Sequence, residues 1–202
     1  MRSYAKNFVY KKTATYKQRQ DREATEWDVR LDVGDNLPVE DIIKNIKAGL
    51  DGLLYVAVSG IETPDTALGV EKFNGSTEEH VHLCIVLYNP LKRNAVLQLL
   101  RGKRKLTDEY CAPRNPKFSY AGWLIHHAKP AFKLPGQPNI RYEYGTLPMD
   151  PLTPEWATMV HNMIKKFQPS QDVKQRFSQY LTILDNNKKR EKIERLLMSM
   201  EE

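Results

Sequence analysis

The chain has 202 residues, 41% of them hydrophobic and 28% charged, which suits one sizeable folded domain, or one with a small appendage, and is too apolar for a disordered chain. No stretch approaches the roughly 18 apolar residues of a membrane span, and the basic segment Met1 to Lys12 lacks the apolar run of a secretory signal. An intracellular protein with reduced Cys84 and Cys111 is therefore expected, and its net charge of +6, with a pI near 9.2, is compatible with a nucleic-acid partner.

Residues 1–22 are polar and basic and read as an arm. Glu26 to Val33 alternates apolar and charged residues, the pattern of a half-buried strand. After a turn over Gly34 to Pro38, residues Val39, Ile42, Ile43, Ile46 and Leu50 fall at helical spacing, with Pro38 at the start and Gly49 and Gly52 at the end. Leu53 to Val58 is a strongly apolar second strand, and Ser59 to Ala67 a polar loop. Gly69 to Phe73 reads as a short strand turned back by Asn74-Gly75. His80 to Tyr88 is the next strand, closed by Asn89-Pro90. Arg93 to Leu100 is predicted helical, Asp108 to Ala112 extended, Phe118 to Ala128 helical, and Ile140 to Tyr144 extended after a proline-rich loop. From Pro151 onward the pattern is helical. One helix runs from Thr153-Pro154-Glu155 to about Phe167 and another starts near Pro169, with Asn186-Asn187 as a candidate interruption.

Short strands with hairpin signals between helices predict an α+β fold, an antiparallel β-sheet flanked by helices. The expected division is a basic arm over 1–22, a domain over 23–150, and a helical appendage over 151–202 that could assemble copies of the chain. Arg101, Lys103, Arg104 and Lys105 form one basic cluster and Lys188, Lys189, Arg190 and Lys192 another, each either a solvated face or a phosphate-contact surface. No phosphate-binding G-x-x-x-x-G-K-[ST] loop is present in the sequence.

His80 and His82 stand two apart on a strand, so both imidazoles project from one face, while Val81, Leu83, Ile85 and Leu87 face a core. That makes the imidazole face the accessible one. Two converging imidazoles suit a divalent metal, although two unrelated surface histidines would give the same spacing. Glu71, nine residues before His80, is the candidate third ligand. Glu78 shares the face of His80 but lies at the strand's mouth, and Glu79 points the other way. A carboxylate with two imidazoles suits Mn²⁺ or Mg²⁺ acting on phosphate. In the helix after Pro116, Tyr120, Trp123 and His127 lie near one face. A tyrosine hydroxyl can attack a phosphodiester, whereas an aromatic pair at helical spacing is usually simple core packing.

In order and spacing, these elements resemble the HUH endonuclease domain of rolling-circle replication initiator (Rep) proteins of small circular single-stranded DNA viruses and plasmids. Such domains open on an apolar strand, as Glu26 to Val33 does. They continue with an H-x-H strand and an upstream glutamate, matched by His80, His82 and Glu71, then a tyrosine-bearing helix about forty residues later, where Tyr120 falls. Tyr144-Gly145-Thr146-Leu147-Pro148 resembles their closing aromatic–glycine stretch. The resemblance covers about residues 25–148 and implies an RRM-like sheet. It also implies origin and single-stranded DNA as partner, and nicking by Tyr120 to give a 5′-phosphotyrosyl link and a free 3′-hydroxyl. Lys129 or His127 would stabilise the phosphate, and a helicase would act in trans. The host nucleus is the expected compartment for a viral chain, the cytoplasm for a plasmid or phage one. Tyr120 is followed three residues later by Trp123 rather than lysine. A register overlaying Trp123-Leu124-Ile125-His126 on the plasmid-type Tyr-Leu-x-His pattern puts tryptophan at the nucleophile's place. A DNA-binding module of the same fold without nicking is therefore the alternative. A two-histidine phosphoesterase is disfavoured, because His126-His127 is followed by Ala128-Lys129 and no second H-x-[ST] motif appears.

Overall fold

A computed structural model describes residues 22–64, 78–104 and 110–198. By their contacts the residues divide into two units, Met1–Asn115 with Phe132–Leu147, and Pro116–Ala131 with Pro148–Glu202.

The first unit is built on a five-stranded antiparallel sheet. Its strands are β1 (Ala24–Asp32), β2 (Leu53–Ser59), β3 (His80–Leu91), β4 (Cys111–Pro113) and β5 (Ile140–Gly145), in the order β4-β1-β3-β2-β5. Helix α1 (Val39–Ala48) links β1 to β2, and α2 (Arg93–Arg101) links β3 to β4. Because β3 is antiparallel to both β1 and β2, those two run parallel with β3 inserted between them. Likewise β4 runs parallel to β3 across β1. Two interleaved β-α-β units of this kind give the RRM-like arrangement, to which β5 adds a strand beside β2.

Period-two alternation decides which side becomes core. Trp27, Val29 and Leu31 of β1, Val81, Leu83, Ile85 and Leu87 of β3, and Val56 and Val58 of β2 face α1 and α2, which contribute Val39, Ile42, Ile46, Val96, Leu97 and Leu100. The acidic residues Glu40 and Asp41 in the first turn of α1 and Lys47 in its last complement the helix dipole. The opposite sheet face carries the polar residues of the same strands. Arg114 pairs with Glu26 at 2.7 Å, Tyr110 donates to Asp28 at 3.2 Å, and Tyr55 donates to Glu143 at 2.7 Å. Cys84 lies fully buried in this face beside Ala57 of β2.

The expected elements recur with shifted ends. β3 does not stop at Tyr88 but continues through Asn89-Pro90 to Leu91, with Tyr88, Asn89 and Pro90 exposed, where proline's missing N–H costs little. The strand expected over Gly69 to Phe73 lies outside the described residues, as does the start of the one expected from Asp108.

The second unit is helical: α3 (Tyr120–His127), α4 (Pro154–Phe167), α5 (Gln171–Arg176) and α6 (Ser178–Met198). α4 packs against α3 and α6, burying Ala157, Val160 and Ile164, with Val173, Phe177 and Tyr180 from the segments that follow. Asn186-Asn187 does not interrupt α6. Asparagine is only modestly unfavourable in a helix, and Asn187 donates to Glu191 one turn on at 3.3 Å. The helix carrying Tyr120 thus belongs with the C-terminal helices.

Candidate metal centre

The site forms where β3 begins. After β2 the chain bends at Gly60, whose position would place an added Cβ 2.0 Å from the Pro138 carbonyl oxygen, so the bend admits only glycine without movement. Beyond the bend, Glu62 forms single antiparallel bridges to His80 on one side and Lys133 on the other. Its N–H donates to the His80 carbonyl at 2.7 Å, while Thr63 N–H donates to Phe132 O and Leu134 N–H to Ile61 O, each at 2.9 Å. Directly opposed residues in an antiparallel ladder point to the same side. Backbone pairing therefore places the side chains of Lys133, Glu62 and His80 in a row, and the period of β3 adds His82.

Glu62 Oε2 lies 3.4 Å from His82 Nε2 and 3.7 Å from His80 Nε2. The imidazole rings meet edge to face with centroids 5.2 Å apart. His80 Nδ1 is 3.1 Å from the Glu78 carbonyl oxygen. A carbonyl only accepts, so Nδ1 carries a hydrogen and Nε2 is the ring nitrogen that faces Glu62, the orientation a metal-ligating histidine takes. His82 is fixed through its backbone. Its N–H donates to Ser59 Oγ at 2.9 Å, and that hydroxyl donates to the Gly60 carbonyl at 2.8 Å.

One carboxylate oxygen and two imidazole nitrogens, each within 4.8 Å of the others, make a mixed oxygen and nitrogen donor set. Ligand bonds to such a cation are about 2.0–2.2 Å long, and donors this close together can share one ion. The residues fit a divalent metal. The imidazoles do not lie on an open face: His80 is 1% exposed, His82 9% and Glu62 2%. Lys133 Nζ holds the other carboxylate oxygen, Oε1, at 2.5 Å, and its side chain is only 3% exposed.

Sequence reasoning found both histidines and missed the glutamate that meets them. Glu71 lies outside the described residues. Glu62 stood in what read as a polar loop, and its signal was faint: Ile61-Glu62-Thr63 resumes apolar–polar alternation after Gly60.

The other candidates occupy varied surroundings. Tyr120 opens α3 and is half-buried. Its N–H donates to Asp150 Oδ1 at 2.7 Å, Ala121 N–H to Asp150 Oδ2 at 3.0 Å, and Gly122 N–H to Ser119 Oγ at 2.8 Å. The first-turn amides of α3 are thus occupied by protein groups rather than held for an anion. Trp123 and His127 are each 4% exposed, with ring centroids 6.3 Å apart, and Lys129 is 8% exposed. The basic cluster divides. Lys103 is exposed, Arg104 binds Asp41 at 2.5 Å, and Lys105 lies outside the described residues. Arg101 is buried, lining a cavity of about 520 Å³ with Arg30, Asp32, Glu78 and Tyr110. Lys188, Lys189, Arg190 and Lys192 are exposed on α6.

No helix among the described residues is long and apolar enough to cross a membrane. The antiparallel sheet, its helices and the Glu62–His80–His82 cluster together resemble an HUH motif. Compared with known protein families, with curated proteins and with solved structures, the chain matches none.

Proposed function

We propose that the chain is a metal-dependent single-strand DNA endonuclease of the Rep type, which binds origin DNA and nicks one strand. The observation that carries this reading is the convergence of Glu62, His80 and His82 at the start of a central strand of an RRM-like sheet. When bound there, Mn²⁺ or Mg²⁺ supplies polarisation of a phosphate oxygen. The chain's own residues do the rest. Glu62 and the two Nε2 atoms would hold the ion, and the ion would orient the reacting phosphate. Tyr120 is the proposed nucleophile: its phenolic oxygen bonds to phosphorus as the bond to the 3′-oxygen breaks. The phenolic proton passes by way of solvent to the leaving 3′-oxygen, which ends as a 3′-hydroxyl, with the 5′-phosphate on tyrosine. Lys129 or His127 stabilises the phosphate, and exposed basic residues such as Lys103 hold the strand through its backbone. Glu71 is proposed as a further carboxylate ligand of the ion.

The reading is tested with labelled single-stranded oligonucleotides and Mn²⁺. A covalent adduct that survives denaturation is expected from the native chain and is abolished by His80→Ala, Glu62→Ala and Tyr120→Phe. Persistence of the adduct in Tyr120→Phe removes that residue as nucleophile. The burial of Trp123, which the alternative register sets at the nucleophile's position, favours a second reading, a DNA-binding module of the same fold that does not cleave. Metal and DNA binding with no adduct under any condition supports it.

A further inference from the structure

The fold gives the two oxygens of Glu62 to different partners. Oε2 faces the imidazoles at 3.4 and 3.7 Å, and Oε1 takes the ammonium of Lys133 at 2.5 Å. Lysine ordinarily extends its head to water and is almost never fully buried unless paired; this side chain is 3% exposed, and Glu62 is its partner. Nor is its position an accident of a flexible arm. Lys133 is the backbone bridge partner of Glu62, which is in turn the bridge partner of His80.

We propose that Lys133 is a built-in counter-cation and positioning residue of the metal centre, holding Glu62 so that only Oε2 is offered to the metal and keeping divalent-cation binding weak and exchangeable. This rests on the metal reading of the cluster. With the imidazoles neutral, as metal ligation requires, the carboxylate and ammonium sum to zero charge. An entering dication therefore gains one carboxylate and meets a like charge beside it, in surroundings where water screens little. Oε1 is meanwhile kept from closing on the ion as a second oxygen ligand. A lysine serving only as a structural ion-pair partner would give stability and leave metal affinity unmoved, and the two roles part on that measurement.

The test is calorimetric Mn²⁺ titration of the full chain at fixed pH, with the fold checked by circular dichroism. Lys133→Arg keeps the charge, and its affinity is expected within about threefold of native. Lys133→Gln keeps a donor for Oε1 but removes the charge, and tightening of about tenfold or more is expected. Lys133→Met leaves the buried carboxylate without its cation. Its melting temperature should fall in metal-free buffer and recover with Mn²⁺ by more than the native chain gains. A folded Lys133→Gln whose affinity is unchanged or weaker overturns the proposal. If the native chain binds Mn²⁺, His82→Ala loses it and Lys133→Gln matches native, the lysine's role falls alone. If neither native nor Lys133→Gln binds Mn²⁺, the metal reading falls with it. Native binding too weak to detect, with clear binding by Lys133→Gln, supports the proposal.

Discussion

His80 and His82 are held by different devices, and the difference predicts different losses. His80 is fixed at its ring by the Glu78 carbonyl, and His82 at its backbone by Ser59. Ser59→Ala therefore leaves both ligands present but loosens the strand under His82. Losing such outer support costs metal sites about 10- to 100-fold in affinity. Mn²⁺ calorimetry should show that loss for Ser59→Ala and no detectable binding for His82→Ala. Equal, native-like affinity in both would remove His82 from the metal site. Cys84, on the same sheet face, makes a different prediction. Burial pushes its thiol well above its ordinary value near 9.0, with the charges of Asp28 and Glu143 adding to the effect. A thiol raised in the folded state stays protonated while the unfolded chain ionises. Stability is therefore full below the unfolded value and falls as pH rises above it, by about 1.4 kcal/mol per pH unit. Denaturation curves from pH 8 upward should show this slope in the native chain and a shallower one in Cys84→Ala. A thiol reagent that labels the folded protein at neutral pH would contradict the burial.

At the scale of elements, the bend at Gly60 does more than join β2 to the loop, because it delivers Glu62 two residues later. An alanine Cβ there meets the Pro138 carbonyl oxygen at 2.0 Å, so backbone must shift. Forced shifts of this kind cost about 1–3 kcal/mol. Gly60→Ala should lose that much in a urea titration and lose Mn²⁺ affinity as well. Loss of stability with native metal affinity would show that the bend does not set Glu62. In the helical unit, α3 depends on Ser119 and Asp150, which together accept from its first three amides. Removing a helix N-cap side chain costs about 1 kcal/mol, and in a urea titration Asp150→Ala should cost more than Ser119→Ala because it strands two donors, one of them buried.

These elements show what local pattern could reveal. β1 and β3 were legible because alternation over Trp27, Val29 and Leu31, and over Val81, Leu83 and Ile85, is a property of neighbouring residues. α1 was legible from Val39, Ile42 and Ile46 at helical spacing, and the histidine pair from the same period-two rule. Glu62 was not, since its partners Lys133 and His80 are brought to it by single bridges across long stretches of chain. No spacing within one segment encodes such a meeting. The burial of the imidazoles was hidden for a related reason: alternation tells which face is polar but not what covers it. Asn186-Asn187 misled in the other direction, because a weak local preference yields to the hydrogen-bond ladder of a long helix.

For the molecule as a whole, the far end of α6 poses a problem of stability. Residues 188–195 are all exposed, and among them Ile193 is 57% exposed. Helices in water owe most of their stability to packing of an apolar face. The bond from Arg190 to Glu194 at 2.9 Å is an exposed pair of the kind worth only about 0.3–0.5 kcal/mol. Among the described residues nothing buries this stretch of α6, and we propose that another copy of the chain covers it, so that copies assemble through the C-terminal helices. Deleting everything after Asp150 is a poor test, since α3 would lose α4, against which it packs, and Asp150 would lose the hydroxyl of Tyr180, which donates to its carbonyl at 2.8 Å. Ending the chain after Asp185 removes the exposed part and leaves those contacts in place. Light scattering at micromolar concentration should then give an oligomer for the intact chain and a monomer for the shortened one, with matching circular dichroism per residue in the sheet region. A monomeric intact chain ends the assembly idea. It would leave the exposed residues Lys188, Lys189 and Lys192 as a surface for the DNA of the proposed function, and binding of single-stranded DNA there is expected to fall steeply with salt.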